Sequence, residues 1–265
     1  MKHIAIHGAA GRMGRRLAAL TLQDPELVLA AALDSPDSGF LGQDAGILAG
    51  QAAAGLQLGQ DLPDDRQVDV VIDFSAPAAT RTILETCRRR RIALVIGTTG
   101  LGDPEHQAID EAASSIAVLQ APNMSLGVNL LFALAARVAA TLGDDYDIEI
   151  TEAHHRQKKD APSGTALQLV RAICDATGRD LEHDVVHGRC GDDVPRTRGE
   201  VGMHVLRMGD VVGEHTAHFA TEGERVVLSH VATTRDVFAR GALRAAKWLA
   251  DQEPGRYQMA QVLGL

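Results

Sequence analysis

The chain has 265 residues, of which 45% are hydrophobic and 23% are charged, and its formal net charge is −9. This length is sufficient for one large domain or two smaller ones. Aromatic residues make up only 3% of the chain and the pI is about 5.6, which argues against a nucleic-acid partner.

The sequence also predicts a soluble protein without a membrane partner. No apolar run approaches the roughly 18 residues needed to cross a bilayer. Met1 leads directly into a predicted strand and not into a signal peptide. The three cysteines, Cys87, Cys174 and Cys190, are widely spaced, as is typical of reduced thiols in a cytosol. We therefore expect a cytoplasmic location.

The first predicted elements are a strand, a glycine-rich turn and a helix. Lys2 to His7 is a short apolar strand that leads into the turn Gly8 to Gly14, and leucines at helical spacing follow until Asp24-Pro25. In this arrangement the N–H groups at the helix N-terminus can bind a pyrophosphate, and glycine allows its close approach. A second strand ends at Asp34, 34 − 14 = 20 residues beyond the last glycine, where a ribose-binding carboxylate is expected. The spacing G-x-x-G-x-x-G is a variant of the usual motif, and a purely structural turn is the alternative. Because the strand, the loop, the helix, the second strand and Asp34 occur in the expected order and spacing, we favour dinucleotide binding.

Strands and helices continue to alternate through the first half. The predicted strands are Val68 to Phe74, Ile92 to Gly97 and Ile116 to Gln120, and the predicted helices are Ala78 to Arg90 and Asp103 to Ala113. This alternation predicts a Rossmann-like, doubly wound parallel sheet in an α/β fold. Ligands bind at the carboxyl ends of such strands, where GTTG and APNMS stand. Each of these two loops could contact a nicotinamide or ribose, or could be a plain turn.

Four consecutive arginines, Arg88 to Arg91, close one of these helices. Cations at a helix C-terminus complement the helix dipole and face water. This run therefore predicts a solvated helix end and not a nucleic-acid site.

The second half has a different pattern, which predicts an α+β domain with an open mixed sheet. Its predicted elements are a helix from Val128 to Leu142, a strand that ends at His154 and His155, a helix from Pro162 to about Thr177, alternating strands from Met203 to Ala232 and a helix from Arg235 to Asp251. The last helix is expected to return to the first domain.

A cationic cluster stands on the loop between the strand and the helix of this second domain. Two histidines, one arginine and two lysines fall between His154 and Lys159, directly before the helix start Pro162-Ser163-Gly164-Thr165. Together with the helix N-terminus, these charges predict a site for one or two carboxylates. Histidine there could also transfer a proton near neutral pH. A solvated basic loop is the alternative.

Two other groups of histidines are candidate metal ligands. His183, His187 and Cys190 have the spacing H-x3-H-x2-C, which zinc sites can use, but no fourth ligand is evident. His215 and His218 are three apart in a predicted strand, so they point to opposite faces and do not share a metal. We expect both to be structural, and we predict no metal.

Five segments resemble motifs of the 4-hydroxy-tetrahydrodipicolinate reductase (dihydrodipicolinate reductase) family. They are GAAGRMG from Gly8, VIGTTG from Val95, APNMSLGVN from Ala121, EAHHRQKKDAPSGTA from Glu152 and GDVVGEHTAHFA from Gly209. The resemblance extends from the first strand to the last helix. It implies an enzyme that reduces 4-hydroxy-tetrahydrodipicolinate, a cyclic dicarboxylate, with NAD(P)H and loss of water in diaminopimelate and lysine biosynthesis. It also implies a homotetramer.

The resemblance further implies domains and site residues. The dinucleotide-binding domain would comprise residues 1–125 and be completed by 235–265, and residues 126–234 would bind substrate and form the subunit contacts. His154 matches the catalytic acid/base and Lys158 the proton-donating lysine, whereas His155, Gly164 and Thr165 match substrate contacts. The implied dinucleotide contacts are Gly8, Ala9, Ala10, Gly11, Arg12, Met13, Asp34, Gly97, Thr98, Thr99, Ala121, Pro122, Asn123 and Met124.

The chain departs from the family pattern at two positions. Some members follow the ribose-binding acid with an arginine that suits a 2′-phosphate, whereas Ser35-Pro36 follows Asp34 here. Asp34 alone favours a free 2′-hydroxyl, so we predict use of both cofactors with NADH favoured, since Arg12 could still reach a 2′-phosphate. Met124 stands where many relatives have phenylalanine, which affects how the nicotinamide is packed.

Two other functions share the predicted first domain. One is a nicotinamide-dependent dehydrogenase of a sugar or hydroxy acid or of another small anionic substrate, and the other is a non-catalytic NADH sensor. Neither needs the stretch from His154 to Thr165.

Overall fold

The computed structural model describes residues 1–265, which form two compact units. The first unit comprises Met1–Ser125 and Asp236–Leu265, and the second comprises Leu126–Arg235. The strands are β1 (Lys2–His7), β2 (Leu27–Leu33), β3 (Val70–Asp73), β4 (Ala93–Ile96), β5 (Ala117–Gln120), β6 (Asp147–His154), β7 (Val185–His187), β8 (Val201–Arg207), β9 (Gly213–Thr221), β10 (Glu224–Ala232) and β11 (Gly255–Tyr257). The helices are α1 (Arg12–Gln23), α2 (Ala45–Leu48), α3 (Pro77–Arg90), α4 (Asp103–Ala113), α5 (Leu126–Leu142), α6 (Gly164–Thr177), α7 (Asp236–Leu249) and α8 (Met259–Leu263).

The first unit is built on a six-stranded parallel sheet in the order β11-β5-β4-β3-β1-β2. The strands are nearly continuous runs of Val, Ile, Leu and Ala because helices cover both faces. Helices α1 and α7 pack together on one face, and α3 and α4 pack together on the other. The chain order reverses beside β1, since β2 lies on one side of it and β3 on the other. The prediction of a doubly wound Rossmann-like sheet is confirmed.

The second unit is built on a five-stranded mixed sheet in the order β10-β9-β6-β8-β7. Strands β6, β7 and β8 are parallel, whereas β9 is antiparallel to both β6 and β10. Helices α5 and α6 cover one face, where Ile148, Ile150 and Phe219 form part of the core. The other face carries exposed Leu206, Val227 and similar side chains. The predicted mixed sheet is confirmed, although the three-residue strand β7 was not predicted.

One sequence expectation needs correction. We expected no apolar run long enough to cross a bilayer, but the 20-residue helical stretch Leu126–Asp145 contains a window of 18 residues with a mean hydropathy of 1.6, long and apolar enough by length and composition alone. Core helices of soluble proteins pass the same test. Leu131, Ala135 and Ala139 of this helix are buried in the core of the second unit.

The arginine run lies where the sequence placed it, at the end of α3. Arg88, Arg89 and Arg91 are exposed to solvent, and Arg91 ends the helix in a left-handed conformation with φ of 55°. Arg90 donates to the backbone oxygens of Leu62 and Pro63. The run is thus a helix terminus with one anchored side chain.

Candidate active site

The glycine-rich loop after β1 is held too tightly for side chains at two positions. Gly8 has φ of +79°, and a Cβ there would overlap the carbonyl group of Phe74. A Cβ at Gly14 would overlap the backbone of Gly8 and Ala9. Helix α1 begins after Gly11 without a side-chain cap, so its first N–H groups are available to an anion. This loop fits the pyrophosphate of a dinucleotide.

Asp34 lies beside that loop. One carboxylate oxygen accepts the N–H of Ala10 at 2.7 Å and the other accepts the N–H of Ser35 at 2.9 Å. The carboxylate is therefore fixed next to the loop, although it follows a different strand. Arg15 lies nearby, since its Nε donates to the Ala10 oxygen at 2.8 Å and its guanidinium stacks on Phe40 at 4.6 Å.

A buried carboxylate joins the carboxyl ends of β1, β3 and β4. Asp73 accepts from the hydroxyls of Ser75 at 2.5 Å, Thr80 at 2.6 Å and Thr98 at 2.8 Å, and its Oδ1 is 2.7 Å from His7 Nδ1. Burial raises the pKa of Asp73, but the contacts with His7 and the hydroxyl groups outweigh burial, so the net pKa is lowered. This network, which was not predicted from the sequence, fixes the edge of the sheet where a dinucleotide is expected.

The other predicted dinucleotide contacts follow β4 and β5, so the parallel sheet places them at the same edge as Gly8 and Asp34. Gly97 is buried under the ring of Phe74, which a Cβ would displace. The hydroxyl of Thr98 is engaged with Asp73, so Thr98 can only contribute to a ligand site through its backbone and by shaping the loop. Met124 is buried, and its carbonyl packs against Gly241 of α7.

In the second unit, His154 is the last residue of β6. Glu152 precedes it by two residues, so both side chains lie on the sheet face that the helices cover. Both are buried, and His154 Nδ1 makes a short hydrogen bond with Glu152 Oε2. A buried charge needs partners, and Glu152 has them.

Three further donors bind the Glu152 carboxylate. Arg207, on β8, donates to Oε2 at 3.0 Å and to Oε1 at 2.9 Å, and the N–H of Ser163 donates to Oε1 at 3.0 Å. Arg207 also donates to the Asp160 oxygen at 2.7 Å. Burial raises the pKa of Glu152, but the hydrogen bonds from Arg207 and His154 outweigh burial. The net pKa is lowered, and the group remains ionised.

The environment of His154 favours its neutral form. Burial lowers its pKa most, Glu152 opposes this, and the charges of Lys158 and Arg207 lower it further. The ring of His215 lies edge-on at 5.2 Å between centroids. His215 is itself buried, and burial together with His154 lowers its pKa to about 4. His215, which we expected to be structural, lies beside His154 and 3.3 Å from the Ser163 hydroxyl.

The loop after β6 carries the predicted lysine. Two backbone bonds, from Met208 to the His154 oxygen at 2.9 Å and from Arg156 to the Gly209 oxygen at 3.3 Å, tie this loop to the end of β8. Lys158 Nζ is 3.0 Å from Asp160. His154, His155 and Lys158 are thus brought together at one end of the mixed sheet.

The same loop leads into α6. Ser163 is the N-cap of α6, and its hydroxyl accepts the N–H of Ala166 at 3.1 Å. Gly164 and Thr165 form the first turn, where the N–H groups and helix dipole favour an anion. Because Glu152 holds the N–H of Ser163, this helix start lies close to His154.

His183, His187 and Cys190, whose spacing zinc sites can use, do not form a cluster. His183 is exposed and pairs with Asp180, and Cys190 is also exposed. The group of potential ligand atoms within 4.8 Å of one another is Glu152, His154 and His215. Because Arg207 already binds both oxygens of Glu152, a cation there would meet a like charge, and we assign no metal.

Known proteins are similar to this chain over nearly its whole length. The sequence models described as "Dihydrodipicolinate reductase, N-terminus" and "Dihydrodipicolinate reductase, C-terminus" match residues 2–124 and 127–263. The 4-hydroxy-tetrahydrodipicolinate reductase of Alkalilimnicola ehrlichii is 52% identical over 263 residues, covering 99% of this chain and 98% of the relative. That of Hahella chejuensis is 48% identical over 268 residues, covering 100% of both.

Solved structures share the fold. A dipicolinate-bound dihydrodipicolinate reductase from Paenisporosarcina sp. TG-14 superimposes with a TM-score of 0.76 at 24% identity, covering 97% of both chains. A probable dehydrogenase from Thermotoga maritima superimposes with a TM-score of 0.65 at 13% identity, covering 98% of this chain and 92% of that one. At these identities the similarity establishes architecture alone.

Proposed function

The chain belongs to the dihydrodipicolinate reductase family, and we propose that it reduces 4-hydroxy-tetrahydrodipicolinate to tetrahydrodipicolinate, with loss of water, in diaminopimelate and lysine biosynthesis. It is an NAD(P)H-dependent oxidoreductase. The observation that supports the proposal is that Glu152 binds both His154 and the N–H of Ser163 at the start of α6, on the loop that also carries Lys158.

The substrate carries two carboxylates on one ring, and the second unit offers cationic and N–H donors for them. We propose that the N–H groups of Gly164 and Thr165 bind one carboxylate and that His155 contacts the substrate from the loop. The dipicolinate in the Paenisporosarcina structure is a planar ring with two carboxylates, which agrees with such a site.

The reaction adds one hydride and one proton to the substrate and releases one water. A bound NAD(P)H supplies the hydride from the nicotinamide C4 to a ring carbon. Negative character then develops in the adjacent unsaturated system. The ammonium of Lys158 and the imidazole of His154 would stabilise this charge and protonate the ring. A dianionic ligand opposes the burial that keeps His154 neutral, and so favours its protonation in the complex.

The residues of the first unit fit the cofactor. We propose that Gly8, Ala9, Ala10, Gly11, Arg12 and Met13 hold the pyrophosphate, that Asp34 accepts from a ribose hydroxyl, and that Gly97, Thr98, Thr99, Ala121, Pro122, Asn123 and Met124 line the nicotinamide side. The supporting observations are the tight Gly8–Gly14 loop, the uncapped start of α1 and the anchored carboxylate of Asp34.

We expect NADH to be preferred over NADPH. The Asp34 carboxylate is fixed by two N–H groups, so it can accept a 2′-hydroxyl but would repel a 2′-phosphate. Replacing Asp34 with asparagine should lower kcat/KM for NADH by about 10- to 100-fold, the value of one charged hydrogen bond. The ratio of kcat/KM for NADH to that for NADPH should therefore fall. Steady-state kinetics with both cofactors measures this. The control is Asp37→Asn, which lies on the same loop but is exposed. It should change kcat/KM for neither NADH nor NADPH. A parent enzyme that prefers NADPH strongly would contradict the expectation.

We further propose a cytoplasmic homotetramer. The sheet face of the second unit that its helices leave uncovered carries Leu206, Val227 and Val231, exposed by 50%, 45% and 55%. Exposed apolar side chains grouped on one sheet face are typical of a surface that another subunit covers. Light scattering should give four times the 28.1 kDa of one chain, and the mass of a monomer would refute the proposal.

The test of the proposed function is NADH oxidation with substrate generated in situ from pyruvate and aspartate semialdehyde by the preceding synthase. Turnover is expected only when the synthase is present. If folded, NADH-binding protein shows no turnover, the proposal fails. Turnover of a sugar or hydroxy acid would then indicate the dehydrogenase alternative, and NADH binding without any turnover the sensor.

A further inference from the structure

The buried Glu152 carboxylate accepts hydrogen bonds on both of its oxygens. It accepts from both terminal nitrogens of Arg207, from the N–H of Ser163 and from His154 Nδ1. An ionised carboxylate has no proton to give, so it can only accept. His154 must therefore carry a proton on Nδ1, as in other sites where a carboxylate orients an imidazole.

The other nitrogen of His154 is left for a ligand. No residue of the chain makes a hydrogen bond to Nε2. The residue facing it is Gly213, at the start of β9, and a Cβ there would lie 3.1 Å from Nε2. The rings of His154 and His215 pack edge-to-face, with 5.2 Å between their centroids. A side chain at Gly213 would crowd Nε2, so the glycine leaves this atom accessible to a ligand.

Arg207 has a separate effect on His154. Burial lowers the pKa of His154 and Glu152 raises it, and the charges of Lys158 and Arg207 lower it again. Arg207 shares the same two carboxylate oxygens from β8 and places its own charge near the ring. The charged and titratable groups that face His154 are then Glu152 on its own strand, Arg207 on β8, Lys158 on the loop and His215 on β9.

We propose that Glu152 and Arg207 are positioning residues of the reductase: the Glu152 carboxylate, held by Arg207 and the Ser163 N–H, fixes the proton of His154 on Nδ1 and reserves Nε2 for proton exchange with substrate. This rests on the proposed function, because it assigns the substrate-facing atom of His154. The same carboxylate also binds the Ser163 N–H at the start of α6. Glu152 therefore positions both the imidazole and the N–H groups that we propose bind a substrate carboxylate.

The first measurement needs no variant. In protein labelled with ¹⁵N-histidine, long-range ¹H–¹⁵N correlation spectra distinguish the Nδ1–H from the Nε2–H tautomer of a neutral imidazole. A His154→Gln sample identifies the His154 signals among the 11 histidines. At mildly alkaline pH His154 should be the Nδ1–H tautomer. An Nε2–H tautomer overturns the proposal, whatever the activity of the protein.

The decisive variant is Glu152→Gln, whose amide can donate to Nδ1 and so favours the wrong tautomer. We expect the His154 tautomer to invert and kcat to fall by about 10²- to 10⁴-fold, with the KM for NADH unchanged. The control is Glu149→Gln. Glu149 lies on the opposite face of β6 and is likewise bound by Arg189, Arg196 and His204, but it does not contact His154. It should leave tautomer and kcat as in the parent.

A lowered kcat with the parental tautomer and an unshifted pH profile would show a merely structural role and overturn the proposal. If Glu152→Gln fails to fold, Arg207→Met decides instead. Loss of that charge should move the NMR titration midpoint of His154 to higher pH, and an unchanged or lower midpoint overturns the proposal. Failure of the proposed function is a separate result, since it appears as no turnover by the parent while its tautomer is still measured.

Discussion

Replacing Lys158 with alanine should lower kcat by about 10²- to 10⁴-fold, the usual contribution of an acid–base group. The variant loses the ammonium that we place beside the developing charge on the ring. NADH should bind with the parental Kd, because Lys158 belongs to the second unit and the proposed dinucleotide contacts to the first. The same assay with in situ substrate, together with NADH fluorescence titration, measures both. His154→Ala should show the same pattern.

Lys159→Ala is the matched control for this prediction. Lys159 is the next residue of the same loop and is exposed. Its replacement by alanine removes the same charge as Lys158→Ala. It should retain kcat within a factor of about three. If Lys159→Ala loses as much activity as Lys158→Ala, the loop acts through its total charge, and the assignment of Lys158 as the proton donor is wrong.

Replacing Gly14 with alanine should abolish tight NADH binding and destabilise the first unit. The added Cβ would overlap the backbone of Gly8 and Ala9, and neither is a flexible side chain that could move aside. Overpacking of this kind costs about 1–3 kcal/mol, and the loop must shift away from the geometry that holds a pyrophosphate. Thermal unfolding and NADH titration measure the two effects.

Two other glycines calibrate that result. A Cβ at Gly11 would lie 3.1 Å from the Gly8 oxygen, whereas a Cβ at Gly39 meets nothing within 4 Å. Gly11→Ala should therefore be intermediate and Gly39→Ala nearly neutral in both measurements. Parental affinity for NADH in Gly14→Ala would show that the loop does not hold the dinucleotide.

The sequence predicted the first unit well because its signals are local. Strands β1 and β2 and helix α4 have the predicted bounds, and most other predicted elements differ from the prediction by one to three residues at an end. An apolar run bounded by turn residues, or a glycine loop between a strand and a helix, is contained within about ten residues of chain. The family is likewise evident from contiguous motifs, and the comparisons confirm it.

Partners that are distant in sequence could not be predicted in this way. Glu152 offered one usable signal, since it stands two residues before His154 on a strand and must share its face. Its partner Arg207 is 55 residues away and gave none. Asp73 and Thr98 are 25 residues apart and become neighbours only because β3 and β4 pair.

By itself, the sequence determined the alternation of strands and helices, the glycine-rich loop after β1 with Asp34 20 residues beyond Gly14, and the cationic stretch before α6. Only the tertiary structure decided which charges meet. The parallel register of β6 with β8 sets His154 opposite Arg207, and the antiparallel register of β6 with β9 sets Glu152 opposite His215. Sheet register depends on packing of the whole face against α5 and α6, so no local pattern encodes it.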